Sequence, residues 1–174
     1  GFLEYSKLID KVDLVSIVVP PAKHYEMGVF FLQNNVHCLI EKPLAERVVH
    51  AQHLIEIAKK NKMILQVGHL ERFNPMVVAL KQKVIDAVKI NAVRHSIFKE
   101  RGTEVDVVLD SMIHDIDFIL DFEQSKLVNI EASGVSLKSD AIDRAQVTLS
   151  FESGLEAHLE ADRVADSAKR EICI

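Results

Sequence analysis

The first seventy residues alternate between short, unbroken apolar runs and longer stretches with helical spacing. The apolar runs span residues 13–19, 36–40 and 63–67. An apolar run of strand length is typical of a strand that is covered on both faces of a parallel sheet. The helical stretches span residues 3–11, 24–35 and 44–60, the last with Asn61 as its left-handed end. This αβαβαβ order predicts an α/β fold with a parallel sheet and helices packed on its faces.

The pattern changes in the second part of the chain, which reads as α+β. Asn74 and Pro75 predict the N-cap and the first position of a helix that runs to about Ala87. A second helix is predicted over 107–122, and strands over 90–98, 128–137, 144–151, 155–161 and 170–174. Polar and apolar residues alternate along 144–151, and Ser153–Gly154 follows as a hairpin turn. We therefore predict a mainly antiparallel open sheet here.

Composition narrows the possible partners and the location. The 174 residues carry a net charge of −5 without a basic stripe, which argues against nucleic acid and anionic membranes as partners. No apolar run approaches the roughly 20 residues that a membrane-spanning helix needs. Cys38 and Cys173 both lie in apolar runs, so we predict that they are buried free thiols of a cytoplasmic protein.

Glu41, Lys42 and Pro43 follow the second apolar run and are the first candidates for chemistry. Desolvation disfavours a charged lysine where a strand leaves the core, and Pro43 ends the strand ladder. Open α/β sheets bind ligands at the carboxyl ends of their strands, so Lys42 is a candidate functional residue. The structural alternative is a surface lysine in a loop. In the loop after the first run, Pro20 precedes His24, which either caps the next helix or contacts a ligand.

Three polar residues of the helix predicted over 107–122 form a second candidate group. Asp110, His114 and Asp117 recur at helical spacing, so they are predicted to share one face. A carboxylate beside an imidazole is a common arrangement for a general base, whereas the structural alternative is a polar pair. Three ligands could also form a metal face, but no matching cluster follows and no metal is expected. Arg72 could bind a carboxylate or phosphate, or pair with an acidic neighbour.

Four segments, in this order, resemble motifs of the glucose–fructose oxidoreductase/inositol dehydrogenase (Gfo/Idh/MocA) family of nicotinamide-dependent enzymes. They are residues 13–20 followed by His24, residues 41–45, residues 67–75, and Asp110 with His114. The resemblance runs along nearly the whole chain. The sequence of residues 68–75 and 112–117 is most similar to that of members that oxidise UDP-N-acetylglucosamine or its uronic acid at the sugar 3-hydroxyl.

The resemblance implies a domain organisation. Residues 1–72 would be part of a Rossmann dinucleotide-binding domain, and residues 73–174 a substrate-binding and oligomerisation domain. No Gly-x-Gly-x-x-Gly occurs in the sequence, so its phosphate-binding loop is absent. We therefore expect the chain to be an internal part of a longer protein, incomplete at both ends.

The same resemblance implies an NAD(P)-dependent sugar dehydrogenase and a role for each candidate residue. His114 would be the base, Lys42 would hydrogen-bond the substrate hydroxyl, and Asp110 would orient His114 or bind the sugar. The resemblance also implies that the Lys42–Pro43 peptide can be cis. The residues implied at the cofactor, NAD or NADP, are Pro20, His24, Glu41, Lys42 and Pro43, and those on the substrate side are Arg72 and Asn74.

Two other functions stay open from the residues. One is a non-catalytic ligand-binding or regulatory relative, which the missing phosphate loop favours and the presence of Lys42, Asp110 and His114 opposes. The other is a structural dimer module that uses the antiparallel sheet as its interface. The second is compatible with an enzyme, because members of the family associate through this sheet, and we expect a homo-oligomer.

Overall fold

The computed structural model describes residues 3–83 and 87–174. They fall into two compact units, Gly1–His69 and Leu70–Ile174. No helix within the described ranges combines the length and the apolar character that crossing a membrane requires.

The first unit is a parallel sheet with two helices, as the apolar runs predict. Its strands are β1 (Leu14–Ile17), β2 (His37–Ile40) and β3 (Leu65–Val67), in the order β1–β2–β3. Its helices are α1 (His24–Gln33) and α2 (Val48–Asn61), and short 3-10 turns lie at Tyr5–Leu8 and Pro21–Lys23. Ile17 pairs with Ile40, and Ile40 with Val67, so the three strands end level with one another.

The core of the first unit lies on one face of this sheet. Alternate strand residues, Val15 and Ile17 of β1 with Cys38 and Ile40 of β2, form one apolar cluster with residues of both helices. Leu14, on the opposite face, is exposed. The prediction that both faces are covered is therefore wrong for the described residues, because α1 and α2 pack against the same face.

Three predicted boundaries of the first unit are wrong. The helix predicted over 3–11 is only the 3-10 turn. Helix α2 begins at Val48 rather than Leu44, because the chain is still extended at Arg47 (φ −128°, ψ 138°). The left-handed residue that ends α2 is Lys62 (φ 57°), whereas Asn61 is helical and donates a hydrogen bond from Nδ2 to the carbonyl oxygen of Leu32.

The second unit contains a mixed, mostly antiparallel sheet. Its strands are β4 (Lys89–His95), β5 (Leu127–Val135), β6 (Arg144–Phe151), β7 (Glu156–Asp162) and β8 (Lys169–Cys173). Their order is β5–β6–β7–β4–β8, and only the β4–β7 pair is parallel. The helices are α3 (Pro75–Lys83) and α4 (Ile113–Phe122), with a 3-10 turn at Leu70–Phe73 and a π-helical turn at Val108–Met112. The predicted continuation of α3 over 84–86 lies outside the described residues.

The second sheet has one apolar and one polar face, as the alternation along 144–151 predicts. Ile90, Ala92, Leu149 and Leu159 of the sheet pack with Met112, Phe118 and Ile119 of the helical segment. Polar side chains of the strands occupy the other face; they include Asn91, Gln146, Thr148, His158 and Glu160. The polar face is thus available to solvent or to a partner.

The two cysteines have different environments. Cys38 is buried in β2, and burial raises the pKa of its thiol to about 11. Cys173 is exposed, so the prediction that it is buried is wrong. The physical reason is its position on β8, which is an edge strand of the second sheet.

Asp143 is a fully buried carboxylate (0% exposed) that holds a loop of the second unit. Its Oδ2 accepts hydrogen bonds from the backbone N–H groups of Leu137, Lys138 and Ser139 at 2.6–2.9 Å. Its Oδ1 accepts from the Ser139 hydroxyl and from Nε of Arg163. Burial alone raises the pKa of Asp143, but these hydrogen bonds outweigh it and hold the pKa well below its usual range.

Arg163 extends this contact to a second loop. Its Nη1 donates to the backbone carbonyls of Gly102 (2.9 Å) and Val105 (2.7 Å), and its Nη2 donates to the hydroxyl of Ser139 (2.9 Å). The Asp143–Arg163 pair therefore clasps two loops to the end of β7.

We predict that Asp143→Asn lowers the free energy of unfolding by about 3–5 kcal/mol at pH 7, because the buried Arg163 loses its counter-charge. The stabilisation is present above the unfolded-state pKa of about 4 and is lost as pH falls toward the lowered folded-state pKa. The difference between wild type and variant should therefore narrow below about pH 4 in urea titrations. The neighbouring exposed Asp140→Asn is the control, and an equal loss there would contradict the role of the clasp.

Candidate active site

The three parallel strands bring their following loops to one edge of the first sheet. The backbone N–H of Glu41 donates to the carbonyl of Ile17 (3.0 Å), and the N–H of Gly68 donates to the carbonyl of Ile40 (2.7 Å). The loop after β1, the turn after β2 and the start of the loop after β3 therefore lie side by side. This is the edge at which open α/β sheets bind ligands.

The buried side chain of His24 contacts two of these loops, the one after β1 and the turn after β2. It is buried at the start of α1, with Nδ1 2.8 Å from the carbonyl oxygen of Pro43 and Nε2 2.8 Å from that of Val19. Its ring nitrogens thus face backbone groups of the unit itself. The N-cap residue of α1 is Lys23, so His24 does not cap the helix. A contact of His24 with a cofactor stays a prediction.

The turn after β2 presents Lys42 between two fixed neighbours. Pro43 is buried, Glu41 and Lys42 are half-buried, and the Lys42–Pro43 peptide is cis. The N–H of Lys42 donates to Oε2 of Glu41 at 3.3 Å. Lys42 thus lies on a turn that is held by its own neighbours, at the edge where a cofactor or substrate would bind.

Gly68 completes this edge in close contact with Glu41. A Cβ atom there would lie 2.9 Å from Oε1 and 3.3 Å from Cα of Glu41. The carboxylate of Glu41 therefore packs directly over the end of β3.

Asp110 and His114 lie in the helical segment of the second unit. Asp110 is in the π-helical turn and His114 in the first turn of α4, and both are half-buried. Gly102 (φ 88°) packs against Asp110: a Cβ there would lie 3.2 Å from Oδ2. The π-helical turn changes the angle between the two side chains from that of the regular helix assumed in the sequence analysis. Such turns are frequent at functional sites.

Arg72 and Asp117 form an ion pair with two hydrogen bonds. Nε and Nη2 of Arg72 donate to the two carboxylate oxygens of Asp117 at 2.8 and 2.6 Å, and these bonds raise the pKa of Arg72. The structure therefore realises the alternative in which Arg72 pairs with an acidic neighbour. Asn74 caps α3, since its Oδ1 accepts a hydrogen bond from the N–H of Met76 (3.0 Å). Substrate contacts of Arg72 and Asn74 stay predictions.

A second pair, which the sequence analysis missed, flanks His114. Nε and Nη2 of Arg94 on β4 donate to the carboxylate of Asp115 at 2.9 and 2.6 Å, and Asp115 is buried. The sequence signal for this pair is the spacing of the carboxylates at positions 115 and 117. Residues two apart lie on different sides of a helix, so each carboxylate, if buried, needs its own cation. Among residues 3–83 and 87–174, no three His, Cys, Asp or Glu side chains are grouped to hold a metal ion.

Comparison with known families identifies the class of the protein. Residues 1–69 match the model of an oxidoreductase family with an NAD-binding Rossmann fold. Residues 88–174 match the GFO/IDH/MocA C-terminal domain. The fold and the two matches define a Rossmann-type oxidoreductase with this second domain. The chain belongs to the Gfo/Idh/MocA family.

Individual relatives agree with this assignment. The UDP-N-acetylglucosamine 3-dehydrogenase of Acidithiobacillus ferrooxidans is 34% identical over 100% of this chain and 56% of its own length. A solved structure of that enzyme has a TM-score of 0.90 and covers 98% of this chain and 55% of its own. The scyllo-inositol 2-dehydrogenase (NAD(+)) of Bacillus subtilis is 25% identical, over 88% of this chain and 49% of its own length. The chain thus spans about half the length of these curated relatives.

We predict that Gly68→Ala lowers the free energy of unfolding by about 1–3 kcal/mol, because the new methyl group overlaps Glu41. Urea titration should show that most of this loss disappears in the background of Glu41→Ala, which removes the overlapping carboxylate. A loss of the same size in both backgrounds would contradict the packing of Glu41 over Gly68.

Proposed function

We propose that the protein is an NAD(P)-dependent dehydrogenase that transfers hydride between a sugar CH–OH group and the nicotinamide ring. The observation that carries the proposal is the position of Lys42, which is half-buried in the turn at the carboxyl edge of the first sheet. The first unit matches a family whose Rossmann fold binds NAD. A lysine there suits an oxygen that gains negative charge as hydride leaves. The cytoplasmic location stays a prediction.

The proposed oxidation removes a proton from the oxygen and a hydride from the carbon of one CH–OH group. His114 takes the proton of the substrate hydroxyl, and the hydride of the same C–H leaves, so that the alcohol becomes a ketone. A bound NAD(P)⁺ would supply the acceptor of this hydride. Lys42 hydrogen-bonds the hydroxyl oxygen while its charge develops, and Asp110 orients His114 or binds the sugar.

The binding roles are proposed residue by residue. Pro20, Glu41, Lys42 and Pro43 form the edge proposed for the nicotinamide end of the cofactor, and His24 supports it from beneath. For the substrate we propose a nucleotide sugar of the UDP-N-acetylglucosamine type, oxidised at the 3-hydroxyl. This choice is supported by the 34%-identical relative from Acidithiobacillus ferrooxidans, which is a UDP-N-acetylglucosamine 3-dehydrogenase.

We predict that the undivided gene product, mixed with NAD and UDP-N-acetylglucosamine, produces NADH, seen as absorbance at 340 nm. His114→Ala should lower kcat by about 10²–10⁴-fold because the general base is lost. Lys42→Ala should lower it by about 10²–10³-fold because the developing charge loses a donor. Exposed His53→Ala and Lys60→Ala are the matched controls and should retain activity.

The failures of this assay separate the alternatives. If a nicotinamide is bound to the purified protein but no turnover is seen, the proposed substrate is contradicted. The assignment as a nicotinamide-dependent dehydrogenase would still stand. No turnover and no bound nicotinamide would favour a non-catalytic ligand-binding or regulatory relative. Full activity in both variants would contradict the assigned roles of Lys42 and His114.

We also propose that the protein forms a homo-oligomer through its second sheet. Strand β5 is an edge strand, and its Val128 (58%) and Ile130 (59%) are exposed. Apolar side chains on an exposed edge favour association with a second copy.

Ile130→Glu should therefore shift the protein toward the monomer in size-exclusion chromatography with light scattering, because a charge would be buried in the interface. Val49→Glu, at an exposed apolar position of α2, is the control and should leave the mass unchanged. A wild-type protein that is already a monomer would contradict the proposal.

A further inference from the structure

His24 is a polar residue in a place that normally holds an apolar one. Only 1% of its surface is exposed, and it opens α1 beneath the edge that carries Lys42. Buried polar groups are costly unless they are hydrogen-bonded, so this position requires partners for the ring. The structure supplies two, and both are backbone carbonyls of loops at the candidate site.

The partners connect segments that are far apart along the chain. Val19 lies five residues before His24, in the loop after β1, and Pro43 lies 19 residues after it, in the turn after β2. A carbonyl oxygen only accepts hydrogen bonds, so the ring nitrogen must be the donor, and a neutral ring, which carries one N–H, donates at one of the two contacts. A ring that donates from Nδ1 holds the turn of Pro43, and a ring that donates from Nε2 holds the loop after β1.

The turn that receives the Nδ1 contact has little regular structure of its own. Residues 41–47 lie between the end of β2 and the start of α2. Pro43 has no N–H, so it offers its neighbours only a carbonyl. The hydrogen bond from His24 is therefore a tertiary anchor for the Pro43–Leu44 peptide, one residue beyond Lys42.

We propose that His24 is a positioning residue for Lys42 and acts through its hydrogen bond to Pro43. This rests on the proposed function, because it assumes that Lys42 takes part in the reaction. The ring does not touch the substrate; it fixes the backbone from which Lys42 projects. Catalytic groups tolerate little displacement, since a shift of about 1 Å can cost about 10²-fold in rate.

Two amide variants separate the two contacts of the ring. The side-chain amide of His24→Asn reaches the place of Nδ1 and can donate to Pro43, whereas that of His24→Gln reaches the place of Nε2 and can donate to Val19. We expect H24N to retain most of the wild-type kcat. We expect H24Q to lose about 10²-fold in kcat with a nearly unchanged KM, because Lys42 acts mainly in the transition state. Equal losses in H24N and H24Q would overturn the proposal.

A background without Lys42 tests whether the effect passes through that side chain. In Lys42→Ala, His24→Gln should lower the remaining kcat only slightly, because the group that His24 positions is gone. A loss as large as in wild type would mean that His24 acts on the fold in general and would overturn the proposal.

Hydrogen exchange gives a readout that does not need activity. H24Q should exchange the backbone amides of Lys42 and Leu44 faster than wild type, whereas H24N should protect them as wild type does. If wild type has no dehydrogenase activity, the proposed function fails while this comparison still tests the anchor. Unchanged exchange in folded H24Q would overturn the anchor. If H24Q does not fold, H24N alone tests the anchor: faster exchange of the Lys42 and Leu44 amides in folded H24N than in wild type would overturn it.

Discussion

Parallel pairing of β1, β2 and β3 is the constraint on which the candidate site depends. Strands that run in the same direction end at the same edge, and here they end level, with Ile17, Ile40 and Val67 in register. The chain must therefore leave the sheet three times at one place. Lys42 lies beside the loops of both neighbouring strands because of this topology. This placement follows from the backbone pairing alone and needs no side-chain contact. The contacts of His24 and the packing of Gly68 then refine a position that the backbone has already set.

In the second unit, in contrast, ion pairs set the orientation of the helix that carries the candidate residue His114. Helix α4 carries Asp115 and Asp117 on different sides, and Arg94 from β4 and Arg72 from the preceding 3-10 turn hold them. Buried pairs of this kind add little net stability, because desolvation offsets the attraction, but a helix turned wrongly would leave charges unpaired. The pairs therefore act on orientation. They fix the rotation of α4 and with it the direction of His114.

The sequence was informative wherever a pattern repeated and uninformative wherever a contact joined distant segments. Apolar runs and alternation predicted the parallel sheet and the second, mainly antiparallel sheet, and β6 was predicted to the residue. The parallel β4–β7 pair was not predicted, because strand order carries no local signal. Lys42 could be singled out because a local motif surrounds it. Pro43 lies 19 residues from His24, and Asp117 lies 45 residues from Arg72, so spacing could not reveal these contacts.

The clasp of Arg163 has a consequence for the order in which the chain is made. Its carbonyl partners, Gly102 and Val105, precede it by 61 and 58 residues. A ribosome adds residues from the N-terminus onward, and such distant contacts close only after the intervening chain is present. The segment around Gly102, which packs against Asp110, therefore leaves the ribosome without its anchor. These two hydrogen bonds of the segment form only after β7 and the Arg163 that follows it have been synthesised.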